Sequence, residues 1–300
     1  MRKGLFIAVA ATVLAFTSAG QSQSDPAAGY KWPETPWHTN QVSPNVYFVD
    51  GGGGNSGVIV GQHEVIVFDA KTNAEGGKEL LDFIAKITPK PVTTVILSHS
   101  DVDHVGGLRS FPKGITIIAQ ENDLKELRAD LAANPTTALP AAYFPNKTVD
   151  KTEGITIDGI KMELLHWAPA HTSGDLMLYL PDQKILFCGD IVTVNEARPL
   201  IHREKHGSSA GWITSVKGAL TLDAVHYVPG HGPVQDRAAI QKMLSNAATE
   251  RARIKELVAQ GRSLKEIQAA VGDPDPAAAG GPPFAPYSEV VYLELTKTAH

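Results

Sequence analysis

The sequence predicts an α/β protein with two packed β-sheets at its centre and helices outside them. Short β-rich runs alternate with helical stretches, and an order of strands followed by helices occurs twice along the chain. The composition is that of a globular protein, since 43% of the 300 residues are hydrophobic and 20% are charged. Its 27 glycines and 20 prolines favour many short strand connections over a helical bundle. The expected core is therefore built from two similar halves.

The first half opens with three short strands separated by glycine and polar turns, a pattern typical of an antiparallel meander. These strands are predicted at 46–49, 57–60 and 64–68. A helix is expected over Ala74–Ile87 because its apolar residues recur at helical spacing, and an apolar strand follows at 92–97. A strand at 115–119 and a helix at 121–131 complete this half.

The second half repeats this order. Strands are predicted at 155–157, 162–167, 176–180, 185–188 and 224–228, with a helix at 210–220. A long helix at 234–259, a short one at 264–271 capped by Ser263 and a closing one at 288–298 follow. The stretch 272–286 is rich in proline, alanine and glycine, which predicts a surface linker.

The first twenty residues match a secretory signal peptide. Arg2 and Lys3 precede an apolar run at 4–16, and small residues follow at 18–20. The run is too short to span a bilayer of roughly 30 Å, so we expect cleavage and no stable membrane insertion, with a retained anchor as the alternative. Residues 1–20 are therefore predicted to be a signal peptide, and the mature chain is expected to be periplasmic or secreted.

Charge and cysteine content narrow the partners and the chemistry. The formal net charge is −5 and no basic cluster occurs, which argues against nucleic acid as a partner. Cys188 is the only cysteine, so no internal disulfide can form. Its place on an apolar strand predicts a small buried hydrophobe rather than a nucleophile. A small-molecule substrate is expected, and the sequence leaves the oligomeric state open.

The chemically informative residues begin where the strand at 92–97 ends. His99, Asp101, Asp103 and His104 fall within six positions. On an extended backbone alternate side chains share a face, so the first three can converge, and a turn at the fourth brings it in as well. Imidazole and carboxylate groups are ligands for zinc, iron or manganese. A polar loop that caps a helix is the alternative, but it leaves the two histidines unexplained.

Three later strand ends carry the same residue types. His171 lies in a tight loop between strands, Asp190 follows an apolar strand, and His231 lies between two glycines after another strand. Each of them alone could be a turn residue. Together they predict a metal site, because binding sites are commonly built at the carboxyl ends of strands.

This set of residues resembles the metallo-β-lactamase superfamily, and the resemblance extends over residues 45–233. The family pattern is H-x-H-x-D-H, followed by a His, an Asp and a His in a glycine turn. Six residues match it: His99, Asp103, His104, His171, Asp190 and His231. The resemblance implies a four-layer αββα sandwich at 45–260, preceded by a lead at 21–44 and followed by a helical extension at 261–300.

The resemblance also implies a cofactor of one or two divalent metal ions. Zinc is the first expectation, with iron or manganese as alternatives. The ligands implied for the two ions are His99 with His171, and Asp103 with His104 and His231. Asp190 would bridge the ions, and Asp69 would hydrogen-bond one of the ligands and orient it.

Asp101 replaces the second histidine of the family motif. Its carboxylate oxygen lies as many bonds from Cα as the histidine nitrogen that binds in the family, so Asp101 is a candidate ligand of the first metal. A third carboxylate would raise the pKa of a metal-bound water and favour harder ions such as iron or manganese. The alternative is a poorly held first metal, with one working ion at Asp103, His104 and His231.

The resemblance implies a metal-dependent hydrolase in which metal-bound hydroxide cleaves an ester, lactone or amide bond, including β-lactam-like bonds. Asp103 would orient that hydroxide and pass its proton to the leaving group. A metal-dependent oxidoreductase, with a di-iron centre or as a mono-iron dioxygenase, is the rival on the same fold. A non-catalytic metal-binding module is the third hypothesis. The ligand residues do not identify the substrate.

Two loops are candidates for substrate contact. By resemblance the glycine-rich segment 51–57 is a hairpin that overhangs the site, and a plain turn is the alternative. The stretch 192–209 contains a group of cationic or titratable residues, for which a solvated loop face is favoured over a site for an anionic substrate group. They are Arg198, His202, Arg203, Lys205 and His206. The remaining histidines, predicted to be structural or exposed, are His38, His63, His166, His226 and His300.

Overall fold

The structure is a computed structural model that describes residues 37–194, 198–273 and 284–296. Its described strands form two sheets. The first sheet follows the chain order with β1 (His38–Ser43), β2 (Val46–Asp50), β3 (Ser56–Val60), β4 (Val65–Phe68), β5 (Val92–Ile96), β6 (Thr116–Gln120) and β7 (Lys147–Val149). The predicted signal peptide, most of the predicted lead and His300 lie outside the described residues.

The second sheet has the order β12, β11, β10, β9, β8. Its strands are β8 (Glu153–Ile157), β9 (Ile160–Leu165), β10 (Met177–Leu180), β11 (Ile185–Phe187) and β12 (His226–Val228). The helices of the described segments are α1 (Ala74–Ile87), α2 (Val102–Val105), α3 (Glu121–Ala133), α4 (Ser209–Ala219), α5 (Arg237–Ala259), α6 (Leu264–Val271) and α7 (Tyr287–Thr296). No helix in those segments is both long enough and apolar enough to cross a bilayer.

Each sheet changes from antiparallel to parallel pairing along its width. Strands β1 to β4 form the predicted antiparallel meander, and β4 to β7 pair in parallel. In the second sheet, β8 to β11 are antiparallel and β12 joins β11 in parallel. Helix connections make the parallel pairs possible, because a parallel strand must return to the same end of the sheet.

Three apolar layers separate the elements and identify a helix–sheet–sheet–helix sandwich. Strand β4 shows why: its residues are all buried, but Val65 and Val67 face α1, whereas Ile66 and Phe68 face the second sheet. The ring of Phe68 lies 5.4 Å from that of Phe187 across the central layer. A third layer joins the second sheet to α4, α5, α6 and α7. The predicted αββα architecture is confirmed.

Most element predictions agree with the structure, and the differences have local causes. Helix α1 has the predicted bounds, and the Asn73 side chain accepts a hydrogen bond from Gly76 N at its start. The long helix begins at Arg237 rather than at 234, because Gln235 still pairs with Tyr227 as a β-bridge. Strand β1 lies inside the predicted lead and extends the first sheet.

The C-terminal extension packs onto the second half of the sandwich. Helix α6 starts at the predicted cap, where Ser263 and Glu266 form a reciprocal capping box. Residues 274–283 of the predicted surface linker are outside the described part of the chain. Phe284, in the same predicted linker, is only 7% exposed, so the linker prediction is wrong at this end.

Candidate metal centre

The predicted site residues meet at one edge of the sandwich, where strands of both sheets end. Four of them follow β5, two in the segment before α2 and two within α2 itself, and the others follow β9, β11 and β12. Six of the seven predicted ligands are buried, and the side chain of His231 is 25% exposed. The seven are His99, Asp101, Asp103, His104, His171, Asp190 and His231. The structure therefore brings together residues that are up to 132 positions apart in the sequence.

A first ligand group consists of His99, Asp101 and His171. Asp101 Oδ2 lies 3.1 Å from His171 Nε2 and 3.6 Å from His99 Nε2. One atom from each of the three residues lies within 4.8 Å of the others, which is close enough for one cation to contact all three. Asp101 thus occupies the position at which a ligand of the first metal is expected.

A second ligand group consists of Asp103, His104 and His231. Asp103 Oδ2 lies 3.0 Å from His231 Nε2 and 3.4 Å from His104 Nε2. Asp190 lies between the two groups: its Oδ1 is 3.2 Å from His104 Nε2 and its Oδ2 is 3.9 Å from His171 Nε2. The carboxylate of Asp190 can therefore reach both groups, as expected of a bridging residue.

Unsatisfied buried atoms show that the donor set fits a cation. The atoms His99 Nε2, His104 Nε2, Asp103 Oδ2 and Asp190 Oδ1 are buried and face other ligand atoms at ion-pair distances, but none of them makes a hydrogen bond of good geometry within the described residues. Each such atom costs about 1–3 kcal/mol when left unsatisfied. A divalent metal would contact them together, and imidazole with carboxylate is the donor set for zinc, iron or manganese.

The titration of these residues is set by burial and by their mutual contacts. Burial lowers the pKa of His99, which favours the neutral imidazole that binds metals. Burial also opposes the charged form of His231, but the carboxylates of Asp190 and Asp103 raise its pKa to about 10. In the absence of a metal, a proton therefore occupies the second group, and a metal that binds there must displace it.

Outer hydrogen bonds point the histidine Nε2 atoms into the centre. His104 Nδ1 lies 2.8 Å from Asp69 Oδ2, the contact predicted for Asp69. Asp69 also accepts hydrogen bonds from the Ser98 backbone N–H at 2.7 Å and from Ser98 Oγ at 2.6 Å. His171 Nδ1 lies 3.0 Å from the carbonyl oxygen of Leu200, to which it can donate. Each contact occupies Nδ1 and fixes the ring, leaving Nε2 for a metal.

His202 and Lys205 surround Asp101, and no feature of the sequence predicts these contacts. His202 Nδ1 is 3.0 Å from both Asp101 oxygens, and Lys205 Nζ is 2.9 Å from Oδ1. Lys205 also donates to Ser100 Oγ at 3.1 Å. Burial by itself raises the pKa of Asp101, but His202 and Lys205 hold that pKa well below its ordinary value. Asp101 is therefore a carboxylate.

The prediction of a solvated loop face for 192–209 is wrong at these two positions. His202 is 1% exposed and Lys205 is 6% exposed. Arg198, from the same stretch, pairs with Glu250 of α5 at 2.6 Å and so faces the C-terminal helices. Cationic residues in a loop usually face water, so only the fold reveals that a buried carboxylate draws two of them inwards.

The glycine-rich segment between β2 and β3 packs against the second ligand group, so it is more than a plain turn. The Gly54 backbone N–H donates to Asp103 O at 3.0 Å, and the Asn55 N–H donates to Gly230 O at 2.7 Å. A Cβ at Gly54 would collide with the imidazole of His104. Gly54 is thus needed for close packing, and the segment supports the second ligand group from behind.

Two further predictions concern single residues. Cys188 is buried at the end of β11, and burial raises the pKa of its thiol, which leaves it unreactive as predicted. His63 is exposed, and its Nδ1 lies 2.7 Å from Asp158 Oδ1, far from the metal centre. His38 has a similar exposed contact with Asp50.

A cavity of about 570 Å³ opens beside Asp101 and Asp103. Its apolar wall includes Leu127, Leu139 and Phe284. The Phe284 ring lies 4.8 Å from the ring of His202 and 5.7 Å from that of His171, so the C-terminal extension covers the first ligand group. Apolar walls beside a few polar groups are typical of small-molecule sites.

Comparisons with known proteins indicate the same family as the sequence motif. The family model described as the metallo-beta-lactamase superfamily matches residues 49–231. The chain is 29% identical over 212 residues to the 2,4-dinitroanisole O-demethylase subunit alpha of Nocardioides sp. (strain JS1661), which covers 69% of this chain and 61% of that relative. It is 26% identical over 186 residues to the metallo-beta-lactamase type 2 of Bacillus cereus, with 59% of this chain and 66% of the relative covered.

Solved structures show the same fold. The stereoselective inverting sec-alkylsulfatase from Pseudomonas sp. superposes with a TM-score of 0.71 at 19% sequence identity, covering 87% of this chain and 50% of that chain. The matched region spans less than two thirds of the length of each of these three proteins. The similarity therefore extends over the sandwich and its ligand-bearing edge rather than over whole relatives.

Proposed function

The chain belongs to the metallo-beta-lactamase superfamily, and we propose that it is a metal-dependent hydrolase that cleaves an ester, lactone or amide bond of a small molecule, including β-lactam-like bonds. The strongest support is the position of Asp190 between two groups of buried imidazole and carboxylate ligands, beside a cavity. Buried ligands next to open space are what a metal needs in order to act on a bound molecule.

The residues that would hold the ions are those of the two ligand groups. His99, Asp101 and His171 would hold one, Asp103, His104 and His231 the other, and Asp190 would contact both. Bound there, a divalent metal polarises a carbonyl group and supplies hydroxide from water at neutral pH. We propose zinc as the first metal to test, with iron or manganese as alternatives because Asp101 adds an oxygen ligand.

Asp103 is the proposed catalytic residue of the chain itself. Its side chain is 1% exposed, and Asp103 belongs both to the second ligand group and to the lining of the cavity. A carboxylate in that position can hold the attacking water in place and carry its proton to the leaving group. Asp69 is a positioning residue, since it acts through His104.

The cavity supports a substrate with an apolar part. Leu127, Leu139 and Phe284 form its wall, and Arg109 and Lys205 are cationic residues on its lining. Lys205 is already paired with Asp101 and Asp130. The apolar wall favours a molecule with an aliphatic or aromatic group next to the scissile bond.

The test is hydrolysis by purified protein of known metal content. Aryl and alkyl esters, lactones, β-lactams, alkyl sulfates and an aryl methyl ether form the panel, the last two because relatives carry those names. We expect turnover of at least one acyl substrate that a chelator abolishes and added zinc restores. Asp103→Asn should lose it, whereas Asp223→Asn, a substitution of an exposed carboxylate paired with Lys184, should not.

Other outcomes favour the rival hypotheses. Tightly bound iron with oxygen or electron consumption and no hydrolysis would favour an oxidoreductase. Retained metal without turnover of any substrate would favour a binding module. Activity that survives complete metal removal would refute metal dependence altogether.

We further propose that the chain is exported to the periplasm or the medium, on the basis of its predicted signal peptide at 1–20. Expression of the full sequence in a bacterium followed by fractionation tests this. Recovery of a shortened chain outside the cytoplasm is the expected result, and full-length protein in the cytoplasmic fraction would refute the proposal.

A further inference from the structure

Asp101 has more cationic partners than its role as a metal ligand requires. Lys205 Nζ lies 2.9 Å from Oδ1, and His202 Nδ1 lies 3.0 Å from both oxygens. Oδ2 also faces His171 Nε2 at 3.1 Å. One oxygen of Asp101 is therefore held by a lysine, while the other faces the first ligand group.

The carboxylates beside the second ligand group differ from Asp101 in this respect. Within the described residues, no Lys or Arg nitrogen lies within 4.0 Å of a carboxylate oxygen of Asp103 or Asp190. The first group contributes one carboxylate of its own, and the ammonium group of Lys205 lies directly against it while also pairing with Asp130 at 3.2 Å. The second group also contributes one carboxylate, Asp103, but no lysine or arginine of the described residues contacts it. The two groups thus differ in having or lacking a cation on a ligand oxygen, even though their ligand types match.

The positive charge of Lys205, 2.9 Å from a ligand oxygen of Asp101, should strongly affect a cation bound at the first group. An ammonium group within a few ångströms repels a divalent ion, and the interaction is weakly screened because all the groups involved are buried. Lys205 also draws electron density from the carboxylate that the ion must share. Both effects lower the affinity of the first group for a metal and leave the second group unchanged.

We infer that Lys205, by pairing with Asp101, makes the first ligand group the weaker of two metal positions, so that the second group fills first. The inference rests on the metal dependence of the proposed function but not on the identity of the reaction. It assigns the ordered filling of the two positions to a loop residue that contacts a ligand rather than the metal. Lys205 is therefore a positioning and charge-balancing residue.

Zinc titration of the metal-free protein against a chromophoric chelator tests the inference directly. Wild type should bind zinc in two steps of different affinity. His171→Ala, which removes a ligand of the first group only, should keep the tighter step. His231→Ala, which removes a ligand of the second group, should keep only the weaker one. The opposite assignment of the two steps would overturn the inference.

The lysine itself is tested by Lys205→Met and Lys205→Arg. Removal of the charge in Lys205→Met should strengthen the weaker step about tenfold or more and leave the tighter step unchanged. Lys205→Arg keeps the charge and should leave both steps near their wild-type values. A weaker step that is unchanged or further weakened in Lys205→Met would overturn the inference, because Lys205 would then only hold Asp101 in place.

Two controls distinguish a change in zinc affinity from misfolding and from loss of hydrolysis. Lys205 is buried among Ser100, Asp101 and Asp130, so thermal unfolding of each metal-free variant is measured first. If Lys205→Met does not fold, Lys205→Gln replaces it, since the amide still donates to these oxygens without a charge. Unequal zinc steps without any hydrolysis would refute only the proposed reaction, and hydrolysis with equal steps would refute only this inference.

Discussion

The two ligand groups at the sandwich edge are similar in composition but are supported in different ways. The second group is supported from the first sheet. Asp69, at the end of β4, contacts His104, and the glycine-rich segment between β2 and β3 packs against the His104 ring. The first group depends on a loop, because His202 and Lys205 contact Asp101 from about a hundred positions away in the sequence. Asp69 and His104 both belong to the first half of the chain, 35 positions apart, whereas the loop that contacts Asp101 belongs to the second half.

The inferred unequal filling of the two metal positions rests on this difference. A histidine at position 101 would need no charge balance, but the carboxylate found there does. The loop supplies this balance in the form of Lys205. The aspartate at position 101 is thus held by residues outside the motif, Lys205 and His202.

Asp190→Asn should impair metal binding at both groups, because Asp190 contacts a histidine of each. We expect loss of at least one zinc ion per chain and a fall in kcat/KM of about a thousandfold, which corresponds to losing roughly 4 kcal/mol of transition-state stabilisation. Elemental analysis and kinetics on the substrate found in the panel measure both. Retention of two ions with near-normal rates would show that Asp190 is not shared.

Elements set by local sequence patterns could be predicted from the sequence, whereas those that depend on long-range contacts could not. Helix α1 and the strands of the meander were predictable because their apolar residues recur at a fixed spacing over several residues. The position of Asp69 at a strand end was predictable for the same reason. The start of α5 was not, because Gln235 pairs with Tyr227 only once the second sheet has formed.

The site residues also differ in how far the sequence predicts them. The residues after β5 converge through local backbone geometry, so the sequence alone indicated a metal site. The burial of Lys205 and the contact of Phe284 with His202 depend on long-range packing that leaves no periodic signal. Cations in a loop and an aromatic residue in a proline-rich stretch both have solvent exposure as their ordinary expectation.

Asp69→Asn should sharpen the comparison by weakening only the second group. The amide cannot hold His104 Nδ1 and Ser98 as the carboxylate does, so the tighter zinc step should weaken about 10–100-fold while the other step is maintained. The matched control is Asp158→Asn, which removes a carboxylate that contacts the exposed His63. Equal weakening of both steps would mean that Asp69 stabilises the whole edge rather than one group.

Phe284→Ala is the corresponding change for the first group. Loss of the ring from His202 and His171 should weaken only the looser zinc step, by less than about tenfold, because no hydrogen bond to a ligand is removed. The free energy of unfolding should fall by about 3 kcal/mol. Phe144→Ala, in a separate cavity of about 690 Å³ beside α3, is the control. A change in the tighter step after Phe284→Ala would contradict the separate support of the two groups.

Ser98→Ala tests whether the two groups are independent at their closest link, and it has the smallest expected effect. Ser98 Oγ donates to Asp69 Oδ2 at 2.6 Å and lies 2.8 Å from His99 Nδ1, so it contacts the supports of both groups. One hydrogen bond contributes about 1 kcal/mol, so both zinc steps should weaken by about fivefold or less and to a similar degree. Ser215→Ala, which removes a buried hydroxyl bonded to Ala168 O, should change neither step. If Ser98→Ala weakened one step more than tenfold and spared the other, the serine would belong to a single group, and Asp190 would remain as the side chain that contacts both.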